Sequence, residues 1–271
     1  MNNLLLFDFN NLLFKAIAVH PGFEYNDIYT GGVYGFINQI CKYITEFEPR
    51  NVVVCSDNPP YLRKGIYPDY KSGRKKRSPE EYAMIQESRK MCEEFLDIIG
   101  IQLWSKKGFE ADDLMYIVSE AYSYSFDKIV VVSNDDDLFQ LFKIDYNIYL
   151  QRSKVLYGMV DFKNEYPDIN INDWCQIKAL SGSHNAVPGI KGIGIKKAIG
   201  IIKDSIKLKE YKEKYEELDL YLKLVTLPYR NCKAVSLSDF DFNRRHVSNF
   251  LSKYRITTTH SMEKAFEILK G

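Results

Sequence analysis

Short apolar runs rich in branched residues alternate with stretches of helical spacing along the first half of the chain. LLLFDF (4–9), NVVVCSD (51–57), IQLWS (101–105) and KIVVVSND (128–135) read as buried strands. Between them, GGVYGFINQICKYITEF (31–47) carries helical spacing, as does SPEEYAMIQESRKMCEEFLDIIG (78–100). The second of these opens with Ser78 as N-cap, Pro79 in the first turn and Glu81 completing a capping box, and it stops at Gly100. A third helix follows EADD, with Leu114, Ile117, Val118 and Ala121 on one face. This alternation predicts an α/β fold with a mainly parallel central sheet flanked by helices. YNIYLQR/YGMVDF (146–162) reads as a hairpin. Beyond about residue 165 the strand signals fade, which divides the chain into an α/β core, 1–165, and a helical part, 166–271.

Three of these strands end in aspartate: Asp8, Asp57 and Asp135, the last with Asp137 two residues on. In an open parallel sheet, ligands sit beyond the carboxyl ends of the strands, so these side chains share one edge. Glu110, Asp112 and Asp113 begin the helix after IQLWS and can face the same crevice. Each carboxylate alone has an ordinary explanation as a helix N-terminus, a cap or an Asx turn. Together on one edge they need neutralising. Mg²⁺ or Mn²⁺ suits such an all-oxygen set.

A second chemistry lies between residues 61 and 82. Residues 63–77 hold seven basic groups (Arg63, Lys64, Lys71, Arg74, Lys75, Lys76 and Arg77) against one acid, Asp69, with Tyr61, Tyr67 and Tyr70 interleaved. Basic groups beside aromatics suit a nucleic-acid strand, although a solvated loop has the same composition. VPGIKGIGIKKAIGII (187–202) joins the helical NDWCQIKAL (172–180) to another helix. No strand precedes its glycines, so it is not a dinucleotide fingerprint. Gly189, Gly192 and Gly194 let backbone N–H groups approach a phosphate, with Lys196 and Lys197 alongside.

Bulk properties narrow the picture. A chain of 271 residues with 45% hydrophobic content can bury a real core, and its net charge of +1 implies no nucleic-acid or membrane partner on its own. No run approaches the ~18 apolar residues of a membrane span, and the start lacks a basic signal segment. Five scattered cysteines form no CxxC pair, so a reducing cytoplasm is the expected setting.

These features resemble the 5′–3′ exonuclease and flap endonuclease family, which includes phage 5′ nucleases and the 5′ nuclease domain of bacterial DNA polymerase I. LLLFDFNNLLFKA, the strand ending at Asp57, YPDYKSGRKKR, FEADDLM, VSNDDDLFQL and VPGIKGIGIKKA carry the resemblance in order, over roughly residues 1–205. It implies a PIN-like 5′ nuclease core and a Mg²⁺-dependent enzyme, with Mn²⁺ able to substitute, that cuts DNA at 5′ ends or flaps in replication or repair. By resemblance, Asp8, Asp57, Glu110 and Asp112 form a first metal site. Asp135 and Asp137 form a second, with Asp112 or Asp113 between the two. Lys71 and Arg74 match the pair over the scissile phosphate, and 61–100 matches an arch for the 5′ strand. Residues at about 172–204 match a helix–three-turn–helix that grips duplex phosphates, with K⁺ at the glycine turn. Arg63, Lys64, Tyr67, Lys75, Lys76 and Arg77 join the glycines, Lys196 and Lys197 as DNA contacts. A monomer acting on DNA, with RNA–DNA hybrids as a further substrate and no membrane partner, is the implied working form.

One stretch departs from the family pattern Gly-Asp-x-x-Asp-Asn before Pro-Gly. Here it is SGSHNAVPG (181–189), with Gly182 and Asn185 in place of the two aspartates. His184 and Asn185 are the remaining candidate donors, and a weaker or Mn²⁺-tolerant second site follows. A DNA-binding module with a weakened nuclease site is the rival reading, and a Mg²⁺-dependent cleavage assay separates the two.

Overall fold

The computed structural model describes residues 2–73, 77–152, 154–183 and 186–270. In chain order the α/β part runs β1 (Asn3–Asp8), α1 (Phe9–Val19), the short pair β2 (Glu24–Tyr25) and β3 (Ile28–Tyr29), α2 (Gly31–Phe47), β4 (Asn51–Ser56), α3 (Pro79–Ile98), β5 (Gln102–Ser105), α4 (Ala111–Tyr122) and β6 (Lys128–Val132). A 3-10 helix, Asp136–Lys143, leads to β7 (Ile148–Arg152), β8 (Val155–Gly158) and α5 (Met159–Glu165). The main sheet has the order β5-β4-β1-β6-β7-β8. Every pairing is parallel except β7 with β8. The mainly parallel sheet read from the sequence is therefore present.

Side-chain alternation explains why these strands are apolar throughout. Leu4, Leu6, Val53, Cys55, Ile129 and Val131 point to one face, where α4 packs. Leu5, Phe7, Val52, Val54, Val130 and Val132 point to the other, beneath α1, α2 and α3. Both faces are covered, so neither tolerates polar positions. Helix α3 begins as expected: Ser78 accepts from the Glu81 N–H at 3.2 Å and the Glu81 carboxylate accepts from the Ser78 N–H at 3.0 Å.

The hairpin expectation holds only in part. Its second strand ends at Gly158, and the MVDF that follows is helical. Asp161 accepts the Gly158 N–H at 2.8 Å and closes the first turn, while Met159 and Phe162, one turn apart, are buried. Alternation in YGMVDF imitates a strand, but the aspartate three residues after glycine sets the start of a helix.

After residue 165 come α6 (Trp174–Ser181), α7 (Ile195–Ile202), α8 (Ser205–Lys214), α9 (Leu218–Val225), α10 (Arg244–Lys253) and α11 (His260–Lys270). Several of these helices extend the two apolar clusters that flank the sheet, α11 packing on α2 and α10 on α3. Trp174, Ile177, Leu180, Ala198 and Ile201 complete one face, and Val247, Phe250, Met262 and Phe266 complete the other. Trp174, fully buried against Phe139 and Phe162, also donates its indole N–H to the Asp136 carbonyl at 2.7 Å. That bond fixes α6 beside the end of β6.

Candidate active site

Parallel strands in level register deliver their carboxyl ends to one edge. Phe7 of β1 lies opposite Val132 of β6, and Asp8 lies opposite Cys55 of β4. Asp8 caps α1 by accepting the Asn11 N–H at 2.9 Å. Asp57 accepts the Ala111 N–H at 2.8 Å and the Tyr61 hydroxyl at 3.0 Å, which ties β4 to the start of α4. Glu110, at the N-cap position of α4 and nearly buried, accepts from the Tyr70 hydroxyl at 3.0 Å and meets the Lys71 ammonium at 2.9 Å. Asp135 accepts the Asp137 N–H at 2.9 Å, and the carboxylates of Asp135, Asp136 and Asp137 lie within 4.8 Å of one another.

Glu110, Asp112 and Asp137 line one pocket with Arg63 and Tyr70, and the carboxylates around it act on one another. Burial, then Asp57, pushes the Asp8 carboxyl up to about 6. Asp112 is held well above the carboxylate range by burial, then by Asp135 and Asp8. Burial, then Asp135, pushes Asp137 up to about 6 against the pull of Lys178. Carboxylates from β1, β4, α4 and the end of β6 thus feel one another. The oxygen-only donor set fits a hard divalent cation. So do two buried oxygens, Glu110 Oε1 and Asp137 Oδ1, which face lysine ammoniums at 2.9 and 3.0 Å, cations in the place a metal ion would take.

Two expected site residues do other work. Arg63, 3% exposed, grips Asp113 with both terminal nitrogens at 2.6 and 2.9 Å and donates from Nε to the Leu224 carbonyl at 2.8 Å. Asp113 also accepts the Tyr229 N–H at 2.8 Å and the Glu110 N–H at 3.3 Å. Asp113 is saturated and Arg63 is inside the protein, so neither the metal role nor the DNA contact fits; the pair is an internal clamp. Lys71 takes a left-handed backbone, φ 58°, and sits over the Tyr61 and Tyr70 rings at 4.8 and 5.5 Å. A non-glycine residue there is uncommon and aims its side chain where a regular backbone would not.

Lys64 and Arg77 are exposed, Arg77 above the Phe14 ring. Tyr67 lines a cleft of about 600 Å³ shared with Ser72, Asp136, Lys178, Ser183 and Gly194. Gly192, φ 82°, and Gly194, the N-cap position of α7, have open space where a side chain would stand. Gly189, φ 66°, instead packs against Gly182, its β-carbon position 2.3 Å from the Gly182 nitrogen. Lys196 and Lys197 are exposed beside this turn. Arg74, Lys75, Lys76, His184 and Asn185 lie outside the described residues.

The family described as 5′-3′ exonuclease, N-terminal resolvase-like domain, matches residues 3–167. The chain belongs to the 5′–3′ exonuclease family. It is 30% identical over 257 residues to a 5′-3′ exonuclease of Bacillus subtilis, covering 90% of this chain and 82% of that one. It is also 30% identical over 225 residues to DNA polymerase I of Caldicellulosiruptor bescii, covering 80% of this chain and 26% of the polymerase. Among solved structures, the zinc-bound T5 5′-exonuclease superposes with a TM-score of 0.69 at 18% identity, covering 99% of this chain and 98% of that one. Flap endonuclease-1 from Methanococcus jannaschii gives a TM-score of 0.66 at 14% identity, covering 98% and 92%. Identities this low describe the shared fold.

In this 5′ nuclease the missing aspartate at 182 has a backbone cause. Gly182 adopts φ 87°, and a β-carbon there would meet the Pro188 and Val187 carbonyl oxygens at 2.8 and 2.9 Å. The next residue supplies a hydroxyl instead, Ser183 donating to Asp137 in a short bond. Sequence reasoning missed Lys178, a 2% exposed lysine whose ammonium lies 2.9 Å from Asp136 and 3.0 Å from Asp137. A lysine amid the apolar NDWCQIKAL was its signal.

Two outcomes follow from this arrangement. Arg63→Ala leaves Asp113 buried without its cation and is expected to cost about 3–5 kcal/mol in urea unfolding. Weakened DNA binding with unchanged stability would overturn the clamp. The second outcome concerns pH. Asp8 is raised from its unfolded value of about 3.9 to about 6, so its contribution is full below the lower value and is lost as pH rises through the upper one. Asn caps a helix as well as Asp. In chelator at pH 7, Asp8→Asn is therefore expected to be more stable than wild type by about 1–2 kcal/mol after solvent screening, and the gain disappears near pH 4. Equal stabilities at both pH values would contradict the assigned repulsion.

Proposed function

We propose that this enzyme is a Mg²⁺-dependent nuclease that hydrolyses DNA phosphodiesters at 5′ ends and 5′ flaps. The observation that carries the reading is the convergence of Asp8, Asp57, Glu110, Asp112, Asp135 and Asp137 at one sheet edge beneath the Lys71 ammonium. Solved relatives of the same fold include a T5 flap endonuclease in complex with DNA and metal ions and the catalytic core of Rad2 with a DNA substrate.

Asp8, Asp57, Glu110 and Asp112 would hold the principal ion, with Asp135 and Asp137 on the far side of the cleft. Bound Mg²⁺ supplies Lewis-acid activation of water and neutralises charge on the reacting phosphate. The chain's own groups do the rest. Tyr61 and Tyr70 flank Lys71 and keep its ammonium from full hydration, which strengthens its pull on a phosphate as negative charge develops. Tyr67 offers a ring to a base in the cleft. Gly192 and Gly194, with open space where side chains would stand, let a phosphate approach the backbone of this turn beside Lys196 and Lys197, and K⁺ would bind there. The segment 61–100 acts as the arch for the 5′ strand. The working form is a cytoplasmic monomer that also accepts RNA–DNA hybrids, and among the described residues no helix is long and apolar enough to cross a membrane.

A 5′-labelled flap substrate tests this directly. Cleavage is expected with Mg²⁺ and none with chelator. Lys71→Ala is expected to lower turnover about 100-fold or more while changing DNA affinity, measured in Ca²⁺, only slightly. Flap binding without cleavage at any Mg²⁺ concentration would contradict the reading. Equal losses of turnover and affinity would reduce Lys71 to a phosphate anchor.

A further inference from the structure

We propose that Lys178 is a built-in counter-ion that replaces a second divalent cation beside Asp136 and Asp137, so that this nuclease holds one divalent ion tightly rather than two. The inference rests on the carboxylate cluster being a metal centre, as argued above.

Asp136, Asp137 and Lys178 are already committed to one another. The ammonium bridges Asp136 Oδ1 and Asp137 Oδ1 at 2.9 and 3.0 Å, and the Ser183 hydroxyl takes Asp137 Oδ2. An incoming ion would have to displace both partners or share their oxygens with a positive charge. Neither lost aspartate is on hand to compensate, and the φ of 87° at Gly182 leaves no room for a side chain.

Lys71 is held differently. Lys71 also faces a carboxylate, Glu110, at 2.9 Å, but it stands in a loop with 12% of its side chain exposed. A rotation about its own bonds carries the ammonium off Glu110 when a cation arrives. Lys178 emerges from the middle of α6, between Ile177 and Ala179, and its side chain is 3% exposed. Its stem is packed in the core, so its charge stays at the aspartates. Charge balance agrees. Asp8, Asp57, Glu110 and Asp112, with Lys71 displaced and the Arg63 guanidinium near Glu110 already matched by Asp113, offer an ion four carboxylates. Asp135, Asp136 and Asp137 with Lys178 fixed present two net negative charges, with a cation at contact distance. Lys178 and Asp136 also line the cleft that Tyr67 and Gly194 share, so this fixed charge stands beside the space a substrate would enter.

The test counts ions without DNA. Mn²⁺ is titrated into the protein at pH 7.5 and bound ion is read by electron paramagnetic resonance and calorimetry. Wild type is expected to bind one ion tightly and a second at least 30-fold more weakly. Lys178→Gln, polar but neutral, is expected to tighten the second ion tenfold or more. Lys178→Met, matched to the buried helix face, serves as a second neutral variant, and the circular dichroism of each is compared with wild type first. Lys178→Arg keeps the charge and the single tight ion. Two equally tight ions in wild type, or a second ion unmoved in both neutral variants, overturn the inference while leaving the metal centre intact. No bound ion in wild type removes the metal reading and this inference with it.

Discussion

Carboxylates about 4–5 Å apart repel by about 3–4 kcal/mol at an effective dielectric of about 20, several times what a typical hydrogen bond returns. This nuclease places three of them within 4.8 Å and others beside them. Hydrogen bonding cannot hold such a set together. Cations can, and three basic side chains reach in from separate elements: Arg63 to Asp113, Lys71 to Glu110 and Lys178 to Asp136 and Asp137. The rest of the molecule is arranged around that constraint.

The sheet supplies the position. Parallel strands end together, and α4 starts where β4 ends because Asp57 accepts its first amide. The clamp then links the site to the helical part: Arg63 bonds the carbonyls of Leu224 and Thr226, and Gln140 bonds the Val225 carbonyl and the Leu227 N–H. Helix α9 is thereby tied to the floor of the cleft, while Trp174 ties α6 to Asp136. The glycine turn before α7 and the carboxylate cluster are held as one unit, as a nuclease that grips duplex at one and cuts at the other would need.

Much of this was legible in the sequence, and the gaps have physical reasons. Buried parallel strands announce themselves as continuous apolar runs, and an aspartate at the end of three of them fixes the site edge. Direction is harder to read. Asp112 and Asp113 are neighbours in sequence but point about 100° apart on a helix, one into the cleft and one to Arg63. Arg63 and Lys71 belong to one basic run, yet only the fold reveals that the guanidinium is swallowed and the ammonium is not. Lys178 hides because a buried lysine looks like an interruption in an apolar helix until its partners, some forty residues away, are known. The last two helices carry ordinary amphipathic patterns, and nothing local says that they pack against α3 and α2.

The central claim is that the clustered carboxylates are a divalent-ion site kept in place, until the ion arrives, by lysines. A crystal structure of the protein soaked in Mn²⁺, with anomalous scattering, tests it most directly. The account predicts a strong anomalous peak among Asp8, Asp57, Glu110 and Asp112 and a Lys71 ammonium moved away from Glu110. Absence of a peak there, with Lys71 still paired to Glu110 at saturating Mn²⁺, would contradict it.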